Sequence, residues 1–222
     1  MDISARFAPF QKLANDLLPL VSDGVDDAAH DAAHLVRVWD NVRAISAKEG
    51  GTLKVLAAAT LLHDCVNVPK DSPERPVASR LAADKAAGIL HRCGWCDITI
   101  AAVTHAIEAH SFSAQIRPVS TEARILQDAD RLDAIGYTGV ARCFYVSGRL
   151  GRALYDPEDP DASNRDLNDL KFAIDHFRSK LLKLSGSFQT ETGQALAKAR
   201  HGVVEDFLNG FLAEVSPMRP DS

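Results

Sequence analysis

At 222 residues, with 46% apolar residues and a formal net charge of −5, the chain can form one large domain that buries roughly 70–75% of its unfolded surface. The acidic balance argues against a protein built to coat nucleic acid, although a bound metal and a few local Lys and Arg can reverse the field inside a cleft. Four cysteines argue against a disulfide scaffold, no apolar run approaches the about 18–20 residues of a membrane span, and Met1–Pro9 lacks the basic flank and apolar core of a signal peptide, so a cytoplasmic protein without membrane partners is expected.

Helical periodicity dominates and strand-like alternation is nearly absent. Asp26 or Asp27 is placed to cap a helix carrying His30, His34, Val38, Val42 and Ile45, which Gly50-Gly51 ends. Thr52 then caps a second helix, whose apolar run Val55–Leu62 leads to His63-Asp64. Cys65–Arg75, with Pro69 and Pro73, reads as a loop, and Pro76 suits the first turn of a helix running through Leu81, Ile89 and Leu90 to Gly94. Asp97 caps a helix through Ile100, Val103, Ile107 and His110; Ser120 caps the next, with Ile125, Ala129 and Leu132 on its buried face. Ile135–Leu150 is helical but interrupted by Gly136, Gly139 and Gly148, and Tyr155–Asn164 is a surface loop rich in Asp and Pro. Leu167, Leu170, Ile174, Phe177, Leu181 and Leu184 follow a helical spacing, and a last long helix carries Leu196, Ala199, Val203, Phe207 and Phe211. The expectation is an all-α, single-domain helical bundle over 26–215, with an N-terminal helical extension (1–25) and a flexible tail (216–222).

The chemistry is concentrated in four residues. His34, the doublet His63-Asp64 and Asp130 come from three separate predicted helices. Two imidazoles and two carboxylates form a mixed nitrogen and oxygen set suited to one divalent transition ion. Imidazole favours Mn, Fe, Co, Ni or Zn, while the carboxylates keep Mg admissible. Carboxylates close to an apolar core are costly unless paired or metal-bound. Asp133 lies one turn beyond Asp130 and shares its face, where it could position water. His30, four residues before His34, reads as a supporting or surface histidine.

The order His … His-Asp … Asp, with Gln127–Gly136, Ala141–Tyr145 and His176–Lys183, resembles the HD-domain superfamily of metal-dependent phosphohydrolases from about His30 to about Leu212. The stretch from Gln127 is similar to its small stand-alone bacterial branch, some of whose members are nucleotide pyrophosphohydrolases. The resemblance implies an HD-type helical bundle and one bound ion, with Asp64 both a ligand and the residue that orients or deprotonates water. It also implies a phosphorylated small molecule as substrate, a nucleotide foremost, with pyrophosphate release from a nucleoside triphosphate ahead of phosphomonoester or phosphodiester hydrolysis. A homodimer is compatible with it.

On the substrate side, Lys70 and Arg75 follow the doublet in the same loop, so chain continuity places them near the ion as electrostatic clamps for phosphate. Arg80, Lys85 and Arg131 are further basic candidates, and Glu74 and Glu108 weaker acid–base ones. His105 and His110 are separated by about 140° around one helix, so both face inward only if His110 stands at the helix end. They are assigned to phosphate, since the branch looks mononuclear by resemblance; a second metal is the alternative. Two rivals stand outside catalysis by this centre: a binding module whose ion only staples helices or senses a nucleotide, and redox or zinc chemistry at Cys93-Gly-Trp-Cys96.

Overall fold

The computed structural model describes residues 2–21, 28–66, 68, 75–111 and 113–215, with the backbone alone for 28–31 and 75. The fold is all α, as expected: the described residues contain no β-strand, and the bridge between Ala153 and Phe172 is isolated. Within this helical domain the chain forms two compact units, one of Met1–Asp130 with Gln189–Gly193, the other of Arg131–Phe188 with Gln194–Ser222. The expected Asp26 or Asp27 cap and the C-terminal tail lie outside the described residues.

The first unit is built around α4 (Leu53–Leu62), which is buried at every position from Val55 to Leu62. A helix apolar all round has no solvent face and becomes the centre of its packing. Around it lie α2 (Gln11–Val21), α3 (Ala28–Glu49), α5 (Ala78–Arg92) and α6 (Asp97–His110). The short α1 (Ile3–Arg6) precedes them, and Phe7 stacks on Trp39 of α3 with ring centroids 5.2 Å apart. Gly50 and Gly51, at φ +80° and +88°, end α3 in a conformation that favours glycine. Thr52 stands at the start of α4 but its hydroxyl makes no cap bond; its N–H donates instead to Glu122 Oε1 at 2.9 Å. Cys96, not Asp97, occupies the cap position of α6, and Asp97 enters the first turn, where its charge complements the helix dipole. Ser120 caps α7 (Thr121–Asp133) as expected, its Oγ accepting the Ala123 N–H at 3.1 Å.

In the second unit α8 (Gly136–Arg149) is continuous, so its glycines do not interrupt it. At Gly139 a Cβ would stand 2.2 Å from the Ala134 carbonyl oxygen, so this glycine serves a close approach. The helix expected from Leu167 onward begins only at Asp175 and passes through a π turn (Phe177–Leu181) into the short α9 (Leu182–Leu184). Upstream, Asp175 captures the backbone: it accepts the Asn168 N–H at 2.7 Å and two bonds from Arg165 at 2.6 and 3.0 Å, leaving Leu170 exposed. The final helix, α10 (Glu191–Val215), buries Ala197, Val204 and Leu208, one position round from the expected face. Phe207 and Phe211 flank that seam; Phe207 stacks on Phe211 and on Phe177, and Phe144 lies tilted against all three.

Candidate metal centre

The C-terminal end of α4 determines the centre. Because α4 is enclosed, the residue that closes it, His63, is carried into the interior with its side chain fully buried. Its Nδ1 stands 2.8 Å from the Thr60 carbonyl oxygen. A carbonyl only accepts, so Nδ1 carries a proton and Nε2 is the ring atom turned to the centre. His34 from α3 brings its Nε2 to within 3.3 Å of that nitrogen. Asp130 Oδ1, from α7, lies 3.5 Å from His34 Nε2 and 4.0 Å from His63 Nε2. Asp64 Oδ2 lies 3.7 Å and 3.5 Å from the same two nitrogens.

These four residues therefore converge. The atoms of His34, His63 and Asp130 form one group compatible with an ion, all within 4.8 Å of one another. Ligand atoms bonded to one ion at about 2.0–2.2 Å sit roughly 3 Å apart when adjacent, so the observed spacings need only a small contraction. Two imidazole Nε2 atoms and two carboxylates converge on one point, a mixed nitrogen and oxygen donor set that fits a divalent cation. Histidines enclosed by apolar helices combine here with an Asp64 side chain that is 51% exposed, so the centre is buried on the histidine side and open on the carboxylate side.

His110, at the last position of α6, also belongs to this cluster. Its Nδ1 is 2.5 Å from the Ile107 carbonyl oxygen, its ring lies 5.0 Å from that of His63 at a right angle, and its Nε2 is 3.8 Å from Asp64 Oδ1. His63, Asp64 and His110 make a second compatible group. Asp64 thus divides its two oxygens, Oδ2 toward His34 and His63, Oδ1 toward His110. Burial, and next the neighbouring His63, push the His110 imidazole below its ordinary value despite the two carboxylates. With Nδ1 turned to the Ile107 carbonyl, Nε2 is the ring atom that faces Asp64.

The remaining candidates are placed elsewhere or not described. His105 is in neither metal-compatible group; its Nε2 accepts the Val119 N–H at 3.1 Å. Asp133 is buried and ion-paired with Arg142 in the second unit, and Arg131 donates to the Ser187 carbonyl oxygen at 2.6 Å. Lys70, Glu74 and the side chains of His30 and Arg75 lie outside the described residues. Arg80 is exposed and Lys85 half-buried on α5. Cys93 and Cys96 are exposed thiols between two helices, with no strand before them.

Sequence reasoning missed the polar clamps that hold α7. Asn41 Nδ2, two turns beyond His34 on α3, donates to the Ala129 carbonyl oxygen at 2.9 Å. Gln127 Nε2 donates to the Ala109 carbonyl oxygen at 2.5 Å, next to His110. Asp128 is completely buried and binds the backbone at Gln189 and Thr190. The signal available, Asn41 apart, was the pair Gln127-Asp128, of which Asp128 stands three residues after Ile125, where the apolar spacing of α7 calls for burial.

A family model described as HD domain matches residues 31–135, which contain all five residues of the cluster. The chain is 33% identical over 187 residues to the protein YpgQ of Bacillus subtilis (strain 168), covering 82% of this chain and 83% of that one. The solved structure of Bacillus subtilis YpgQ in complex with ADP is similar with a TM-score of 0.69 and 29% identity, over 93% of this chain and 100% of that one. An HD-superfamily hydrolase from Bacillus thuringiensis is similar with a TM-score of 0.70 and 30% identity, over 92% of this chain and 97% of that one.

Proposed function

The chain belongs to the HD-domain family, and from that premise we propose that it is a metal-dependent phosphohydrolase that acts on a nucleotide, releasing pyrophosphate from a nucleoside triphosphate. The observation that carries this reading is the convergence of His34, His63, Asp64 and Asp130, with Asp64 half in solvent. The ADP complex of Bacillus subtilis YpgQ supports a nucleotide as ligand here too. His34, His63, Asp64 and Asp130 hold one divalent transition ion, Mn, Fe, Co, Ni or Zn, with Mg admitted by the carboxylates. Such an ion, when bound, polarises a phosphoryl oxygen and acidifies water.

The chain's own residues do the rest. The Thr60 carbonyl holds the His63 ring with its Nε2 inward. Asp64 Oδ1, the oxygen turned from His34 and His63, can accept a proton from the attacking water, with His110 Nε2 beside it. Lys70 and Arg75, by their nearness in sequence to Asp64, neutralise charge developing on the phosphate oxygens. Asp133, already bound to Arg142, is read as an anchor of α7, and His105 as a partner of the Val119 backbone.

A two-ion centre is the second reading, favoured by the group His63, Asp64 and His110. A metal-supplemented screen that measures phosphate and pyrophosphate release across nucleotides and phosphodiesters tests the proposal. Pyrophosphate from a triphosphate, abolished by chelator, is the expected outcome. Release of phosphate alone would move the reading to a phosphomonoesterase, and no release with any of the ions would favour the binding module.

A further inference from the structure

The motif His176–Lys183 has no part in the metal chemistry above, yet the second unit gives it an unusual construction. His176 Nδ1 meets Asp169 Oδ2 at 2.8 Å, and Ser179 Oγ donates to the same oxygen at 3.0 Å. An ionised carboxylate only accepts, so Nδ1 carries a proton and the ring is fixed in orientation. Its Nε2 has no partner among the described residues, and the side chain is 23% exposed, enough for an outside group to reach it. The helix directly after His176 opens into a π turn, Phe177–Leu181. Such wide turns are rare and are concentrated at functional sites.

Positive charge gathers round this imidazole. The bridge between Ala153 and Phe172, with the Ala153 N–H donating to Lys171 and the Ala173 N–H to Ala153, lays Arg152 beside the segment that leads to His176. Lys180 follows on the π turn. The neighbouring arginines are otherwise engaged, Arg165 with Asp175 and Arg178 with the Asp161 carbonyl oxygen. Arg152 makes no ion pair within 4.0 Å among the described residues, and its charge and that of Lys180 both bear on the His176 imidazole.

We propose that Arg152, His176 and Lys180 form a phosphate-recognition site on the second unit, with Asp169 and Ser179 as the residues that position His176. Arg152 supplies a planar fork matched to two phosphoryl oxygens, Lys180 a second positive charge four residues after His176, and His176 Nε2 a fixed hydrogen-bonding group. Burial, and then Lys180 and Arg152, hold the imidazole below its ordinary value although Asp169 opposes them. An arriving anion cancels that repulsion, so the ring can take up a proton and donate through Nε2. The site needs no metal and stands independently of the hydrolytic reading.

The test follows the His176 side-chain resonances of the full-length chain by heteronuclear NMR, with and without Zn²⁺, while inorganic phosphate, ADP or adenosine is added. Saturable shifts with phosphate and ADP, and none with adenosine, are expected in both metal conditions. Phosphate alone without ADP would identify a site for the free anion, which is still phosphate recognition; a response to adenosine, or none to phosphate and ADP, overturns the proposal. Arg152→Lys keeps the charge and Lys180→Gln alters an exposed side chain, so both preserve the fold; each should weaken phosphate binding at least about tenfold. Wild-type affinity in both variants would equally overturn it.

Discussion

Both carboxylate oxygens of Asp128 are committed: Oδ1 accepts the Gln189 N–H at 2.8 Å, and Oδ2 accepts the Thr190 N–H at 2.8 Å and its hydroxyl at 2.7 Å. Asp128→Asn keeps the shape but sets an amide donor against a backbone donor in a buried place. The expected cost is about 1.5–3 kcal/mol, read from the urea midpoint at unchanged slope; an unmoved midpoint would show that these bonds contribute nothing net. At this scale the four proposed ligands were legible because each is a polar residue set on or at the end of an apolar helical run. His110 was legible as a candidate, but its place beside Asp64 was not, since a position at a helix end follows from where the helix stops. Asn41, Gln127 and Asp128 were hidden for another reason. Their partners are backbone atoms distant in the chain, and no spacing rule carries that information.

Along single elements, α10 offers a direct comparison of two glycines. At Gly193 a Cβ would meet Asp128 Oδ2 at 2.3 Å and Thr190 Oγ1 at 2.8 Å, whereas at Gly202 it would meet nothing within 4 Å. Gly193→Ala should therefore destabilise the protein by about 1–3 kcal/mol through overpacking. Gly202→Ala should stabilise it by roughly 0.8–1.0 kcal/mol through helix propensity. Thermal unfolding of the two variants checks the pair, and shifts of the same sign would contradict the packing described for the start of α10. The segment from Leu167 to Leu184 shows where element-scale reading fails. Its leucines repeat at helical spacing, yet the Asp175 carboxylate, bonded to Arg165 and to the Asn168 N–H, offers the backbone a better alternative up to Ile174. Similarly, Phe207 and Phe211 marked the apolar side of α10, but the small or branched Ala197, Val204 and Leu208 form its seam, because aromatic rings reach a core from its margin.

For the whole molecule, the all-α architecture was legible from periodicity alone, and the enclosed helix α4 explains why: eight consecutive buried residues can only lie at a centre, and they deliver His63 there. The division into two units was not legible, because its boundary falls inside α7, between Asp130 and Arg131, where the helical pattern is unbroken. The most direct measurement of metal-centred hydrolysis is a titration of chelator-stripped protein with one divalent ion, recording bound metal, pyrophosphate release from a nucleoside triphosphate and helical circular dichroism together. Bound metal and turnover should rise in parallel and saturate at one ion per chain, or at two if His110 completes a second site, while the helical signal is present from the start. In His63→Ala both should be lost, with turnover down by at least about 10²–10³-fold and the helices retained. Turnover in the stripped protein, or full metal occupancy and wild-type turnover in His63→Ala, would contradict a reaction centred on His34, His63, Asp64 and Asp130.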